Sequence, residues 1–239
     1  MKLQSALRLI YPSQCLTCGA AVEDDLSLCG DCWRETHFIH GLTCKSCGVP
    51  LLGKDREHEL QCDDCLTIAR PWRRGAAAML YRGKGRDMVL RLKHGDRTEL
   101  ARPAAMWMAR VAPPLDKETV VVPVPLHWLR QLKRRYNQSA LIAKILAQSL
   151  GATYLPDSLY RPKPTPPQDG KTRSARFAAL ERAISPHPKR GRYLEGKSVL
   201  LVDDVMTSGA TLSACTEACF AAGAREVDVL VLARVSKDD

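Results

Sequence analysis

Two neighbouring carboxylates, Asp203 and Asp204, follow the apolar run Val199-Leu200-Leu201-Val202 and precede a small, hydroxyl-rich turn, Thr207-Ser208-Gly209-Ala210-Thr211. A continuous apolar run is the pattern of a central parallel strand, expected here over 198–202. A turn that feeds a helix N-terminus presents N–H groups without intrahelical partners and the positive end of the helix dipole, which suits a phosphate. Gly209 lets the backbone come close to such a group, and Thr207, Ser208 and Thr211 add hydroxyl donors. Carboxylates beside a phosphate would repel it unless they face a ribose diol and accept hydrogen bonds from both hydroxyls. The pattern therefore points to a phosphorylated sugar. The one G-x-x-x-x-G-K-[ST] match, at 191–198, leads into the strand expected over 198–202 and not from a strand into a helix, so it lacks the context of the competing phosphate motif.

The cysteines carry a second chemistry. Eight of the ten lie in the first 65 residues as four C-x-x-C pairs: Cys15/Cys18, Cys29/Cys32, Cys44/Cys47 and Cys62/Cys65. A disulfide framework would not repeat one spacing four times, whereas a tetrahedral zinc site is built from two such knuckles. Gly19 and Gly48 trail the first and third pairs, and each is followed by a second pair, which reads as an internal repeat of two ribbons. The expected Zn2+ sites are Cys15/Cys18/Cys29/Cys32 and Cys44/Cys47/Cys62/Cys65, with an interleaved cross-brace as the alternative. With every position a thiolate, no coordination place remains for chemistry, so both metals are expected to be structural and required for the module to fold. Cys215 and Cys219, four apart on an expected helix, read as buried small hydrophobes.

Charge is unevenly spread. The net +10 divides into −3 over residues 1–70 and +13 over the remainder, a bias suited to a polyanionic ligand. Arg130, Lys133, Arg134 and Arg135 follow the Pro-Val-Pro of 123–125 without an acid between them. Residues 161–192 hold nine Lys and Arg against two acids and are rich in proline, so the first half is expected to be irregular. His94 and His127 lie near these stretches, but nothing marks either as a general base.

The elements that must position these groups alternate between strand and helix. Strands are expected over 75–81, 119–122, 198–202 and 226–235, and helices over 86–94, 98–111, 139–150 and 211–222, with a short one over 177–183. Pro103 fits a first helical turn, and Gly151 and Gly223 fit helix stops. This order implies an α/β fold with a mainly parallel sheet flanked by helices, preceded by a small zinc-ribbon module, with the boundary near Arg70-Pro71 (1–70 and 71–239). The first 15 residues read as a short amphipathic helix and not a signal peptide, and no window approaches the roughly 18 apolar residues of a membrane span. A cytoplasmic protein without membrane insertion is expected.

The segment 199–212 resembles the 5-phosphoribosyl-1-pyrophosphate (PRPP) signature of type I phosphoribosyltransferases. Together with the four cysteine pairs, the Pro-Val-Pro-Leu-His of 123–127 and Arg134-Arg135-Tyr136-Asn137-Gln138, the chain resembles the ComF competence-protein family. The resemblance implies that Asp203 and Asp204 bind the ribose hydroxyls, and that Met206, Thr207, Ser208, Gly209, Ala210 and Thr211 bind the 5′-phosphate. It places Pro125, Leu126, His127, Arg135, Asn137 and Gln138 at the pyrophosphate, with Arg161, Thr165, Gln168, Lys171, Arg173 and Arg176 on a loop that closes over it. That family usually has Asn where Ala179 stands, and Gly-Ala-Phe where Arg182-Ala183-Ile184 stands. Implied partners are PRPP with Mg2+, single-stranded DNA and proteins of the competence machinery. Two functions follow: displacement of pyrophosphate from PRPP by a nitrogen nucleophile, and a DNA-binding role in natural transformation.

Overall fold

The apolar stretches pair as one parallel sheet in the order β1-β7-β6-β2-β3, built from β1 (Arg74–Leu80), β2 (Thr119–Pro123), β3 (Thr153–Tyr154), β6 (Ser198–Met206) and β7 (Glu226–Arg234). The computed structural model describes residues 12–53, 60–127, 135–162 and 183–236. Thr165, Gln168, Lys171, Arg173 and Arg176, and most of the short helix expected over 177–183, lie outside the described residues. β2 and β6 are buried along their shared register, which is why they read as unbroken apolar runs.

Helices cover both faces. Beyond β1, α3 (Gly83–His94), α4 (Ala101–Ala109) and α5 (Gln138–Leu150) put Met88, Leu92, Met108, Ile142 and Leu146 against Val121, Leu200, Val202 and Leu230. α6 (Ala210–Ala221) packs on the opposite face with Val199, Leu201, Val229 and Val231, and its small residues are buried nearly all round. Pro103 stands in the first turn of α4, and α5 ends at Gly151 in the left-handed region (φ 65°). Two elements differ from expectation. Residues 98–100 form a 3₁₀ turn before α4. β6 runs four residues beyond Val202, because β7 continues to pair with it as far as Met206. A small antiparallel pair, β4 (Leu159–Tyr160) with β5 (Ser185–Pro186), brackets 161–184 and seats Leu159, Ala183 and Ile184 in the core beside Cys215.

The cysteine module closes the open edge of the sheet. Its short helices, α1 (Gly30–Glu35) and α2 (Asp63–Thr67), begin at Cys29 and Cys62. Ile39 N donates to Ala78 O and Leu80 N to His37 O, so 37–39 pairs along β1, which would otherwise be an unprotected edge strand. On one face Phe38 stacks edge-on to Trp107 of α4 at 5.2 Å. On the other, Cys44, Cys47, Cys65 and Trp72 belong to the same core as α6. No described helix is long and apolar enough to cross a membrane.

Candidate functional site

β2 leads outward through α5 to β3, whereas β6 leads the other way through α6 to β7, so a crevice opens between their carboxyl ends. Ligands of open α/β sheets bind at such a reversal of strand order. Proline helps to open it. Val124 N donates to Val202 O, so the nitrogen of Pro123 is directed to the other side, beyond the last β2–β3 pair at Val121↔Tyr154. The missing N–H therefore costs no ladder hydrogen bond. After Val202 the β2 side of β6 is unpaired, and the start of α5 moves in beside it.

The two acids lie on this unpaired stretch, inside the strand and not past its end. Gln138 Nε2 donates to Asp204 Oδ2 (2.7 Å), and Lys93 Nζ stands 3.1 Å from Asp204 Oδ1. Ser139 Oγ donates to Asp203 Oδ1 (2.7 Å), as does the Asp204 amide (2.9 Å). Asp204 is buried and Asp203 half-buried. Loss of water around Asp203, and then the neighbouring Asp204 charge, push its carboxyl up to about 7.

Next comes the turn. Gly209 adopts φ 83° at the start of α6 and has no side chain of its own to cap it, while the Ala210 amide donates to Ser208 Oγ at 3.4 Å. The carbonyls are held from behind. Arg70 donates to Ser208 O (2.6 Å), and Arg234 donates to Met206 O (3.1 Å) and Thr207 O (2.8 Å). In a planar trans peptide the N–H points opposite to the carbonyl. Tying down three successive carbonyls turns the N–H groups of Thr207, Ser208 and Gly209 away from the two arginines, an arrangement suited to an anion.

The remaining expected residues divide. Asn137 is the N-cap of α5, accepting from Ser139 N and Ala140 N and donating from Nδ2 to Val124 O, so it ties the strand exit to the helix. Pro125 and His127 are buried along that exit, and Leu126 is half-buried. Arg135 is exposed, left-handed at φ 64°, and 3.4 Å from Asp96. Arg161 is buried close to Cys215. Four contributors escaped the sequence reading as site residues. Ser139 and Lys93 hold the acids, and Arg70 and Arg234 hold the loop. A neighbour of the Asn-Gln pair such as Ser139 could have been found from helix spacing, but Arg70 and Arg234 carry no local signal.

The cysteines form two clusters in the successive pairing, each with its four Sγ atoms within 4.8 Å of one another. Cys18 and Cys29 Sγ are 3.6 Å apart, and Cys47 and Cys62 Sγ 3.7 Å. A tetrahedron with Zn–S bonds of about 2.3 Å needs roughly 3.8 Å between sulfurs. These residues therefore fit Zn2+. Gly19 and Gly48 take positive φ and return N–H bonds to Cys15 O and Cys44 O, closing equivalent knuckles. Cys215 and Cys219 are fully buried. Burial raises the Cys215 thiol well above its ordinary value and pushes Cys219 up to about 12, so both stay inert thiols.

A switch-point crevice with paired acids and a tied-down loop, in a sheet whose β1 edge carries two four-cysteine ribbons, defines a phosphoribosyltransferase-type domain with a zinc-ribbon module. Family models agree: a double zinc ribbon domain matches residues 6–66, and a phosphoribosyl transferase domain matches 136–238. Relatives span nearly the whole chain. The DNA utilization protein YhgH of Salmonella typhimurium is 28% identical over 233 residues, covering 95% of this chain and 99% of that protein. Competence protein F of Haemophilus influenzae is 27% identical over 213 residues (87% and 90%), and competence protein ComFC of Bacillus subtilis 24% over 204 residues (80% and 77%). The chain thus joins a double zinc ribbon to a phosphoribosyl transferase domain and is similar along most of its length to these DNA utilization and competence proteins.

Proposed function

We propose that the crevice binds PRPP with Mg2+, and that the chain is a candidate phosphoribosyltransferase in which a nitrogen nucleophile displaces pyrophosphate. The observation that carries this reading is the placement of Asp203 and Asp204, fixed by Ser139 and Gln138, one turn before a loop whose carbonyls are tied down. Asp203 and Asp204 accept from the ribose hydroxyls, and residues 206–211 surround the 5′-phosphate. The basic residues of 125–138 and 161–176 neutralise the leaving pyrophosphate, with Mg2+ arriving as its complex. We take 1–70 as the ribbon module and 71–239 as the transferase-like domain. Turnover of PRPP with an amine donor, followed as pyrophosphate release, tests the transfer step. Pyrophosphate release that equals the uncatalysed rate with every amine tried, in a protein that binds PRPP, would leave the chain a PRPP sensor.

A second reading has its own support. The +13 balance of residues 71–239 and the names of the relatives, DNA utilization protein and competence protein, favour a cytoplasmic role with single-stranded DNA and the proteins that handle it. Backbone-driven binding of this kind weakens steeply with salt. Affinity for an oligonucleotide that is unchanged between low and physiological salt contradicts it.

A further inference from the structure

The second cysteine cluster and the phosphate loop share two arginines. Arg70 Nε points at Cys65 Sγ (3.5 Å) while its NH1 holds Ser208 O (2.6 Å), so one planar guanidinium spans metal site and loop. Its side chain lies over Trp72 at 5.5 Å, and Trp72 is itself fixed to the knuckle by Nε1–H donating to Ser46 O (2.6 Å). Arg234, only 4% exposed, holds the carbonyls of Met206 and Thr207 and lies within electrostatic reach of Cys47. Each guanidinium keeps one buried nitrogen, Arg70 NH2 and Arg234 Nε, with no hydrogen-bond acceptor among the described residues. Burying unpaired cationic donors is costly unless negative charge stands close by. A Zn2+ bound by four thiolates carries net negative charge and supplies it.

Gly209 completes the join. A Cβ at this position would meet Arg70 NH1 at 2.7 Å and the Trp72 ring at 3.1 Å, so the loop is packed directly on the strap at 70–72. The first cluster has no comparable link among the described residues. Its neighbours are Thr17 and, across an open cavity, Arg91 and Arg97 of the opposite face.

We propose that Arg70 and Arg234 are positioning residues that couple the second zinc site to the phosphate loop, so that Zn2+ at Cys44/Cys47/Cys62/Cys65 sets the loop in its anion-binding shape. The first site is a ribbon staple without this role. The coupling rests on the reading of 206–211 as a phosphate loop for its purpose, but not for its existence. By linkage, a ligand that needs the ordered loop raises zinc affinity at the second site by the same factor by which zinc raises affinity for the ligand.

The test has two arms on the full-length, zinc-replete protein. In the first, hydrogen exchange of the Ser213 and Val235 amides, which donate to Gly209 O and Met206 O of the loop (2.9 and 3.0 Å), is compared between wild type, Arg70→Ala and Arg70→Lys, with zinc content measured alongside. The expected result is exchange at least about fivefold faster in Arg70→Ala and intermediate in Arg70→Lys, which keeps one donor. Arg70→Lys carries the arm alone if the alanine variant fails to fold. In the second, zinc affinity of the wild type is measured by chelator competition with and without ribose 5-phosphate. One of the two zincs is expected to tighten by about fivefold or more while the other stays unchanged. Unchanged exchange of these amides in the variants overturns the coupling, as does ribose 5-phosphate that binds yet leaves both zinc affinities alone. Faster exchange in Arg70→Ala with no binding of ribose 5-phosphate would instead uphold the coupling and overturn the phosphate reading.

Discussion

At the scale of single residues, Asp203, proposed above as a ribose ligand, is held at the expense of stability. Its carboxyl is raised to about 7 from an ordinary 3.8, so the folded chain retains a proton that the unfolded chain releases between about pH 4 and 7. Stability then falls as pH rises through that window, and the whole cost is present above about pH 7. Asp203→Asn, which can still accept from Ser139, is expected to stabilise the unliganded protein at pH 8 by about 1 kcal/mol after allowing for solvent screening. The gain should shrink towards pH 5 in thermal melts, and a variant less stable than wild type at pH 8 contradicts the burial argument. Gln138→Ala has the opposite sign. It removes a donor from buried Asp204 and is expected to cost roughly 1–3 kcal/mol by denaturant titration, with Lys93 left to hold the charge. A loss within error would mean that Lys93 alone suffices.

At the scale of elements, Gly48 is set by close approach. Gly48 closes the third knuckle at φ 70°, and a Cβ there would lie 2.6 Å from Ala77 N and 2.9 Å from Ala76 backbone atoms of β1. Gly48→Ala is expected to push the second ribbon off the sheet, costing about 3 kcal/mol or more and lowering zinc content towards one per chain, measured by metal analysis of the purified protein. Two bound zincs and an unshifted melting curve would show that ribbon and sheet pack more loosely than the distances imply. Gly48 also marks what the sequence could and could not reveal. Its trailing position after Cys47 made the knuckle and the successive cluster pairing legible, because metal geometry is local. The contact with β1 was not legible, since it joins segments about thirty residues apart through backbone atoms alone. The same division holds at the crevice. Val199–Val202 announce the strand and Gly209 the turn before α6, both borne by local residues, and the acids between them carry the proposed diol site. The continuation of β6 to Met206 depends on pairing with β7, and the supports from Lys93, Arg70 and Arg234 depend on how distant elements converge.

At the scale of the whole molecule, the ribbons and the sheet share a core. Cys44, Cys47, Cys65 and Trp72 are buried with α6, Phe38 packs on Trp107, and Arg73 links the strap to Asp228 of β7 through two hydrogen bonds. Stripping zinc is therefore expected to destabilise the sheet along with the ribbons, giving one cooperative thermal transition at lower temperature in place of two separate ones. An unchanged sheet transition after complete zinc removal would make the ribbons an independent appendage. The central claim, that the crevice at Asp203, Asp204 and 206–211 is a PRPP site, is tested most directly by calorimetric titration of the zinc-replete protein with PRPP and Mg2+. Saturable one-to-one binding is expected, weakened by at least about tenfold in Asp204→Asn while zinc content stays unchanged. The absence of binding by the zinc-replete wild type, or equal affinity in Asp204→Asn, would contradict it.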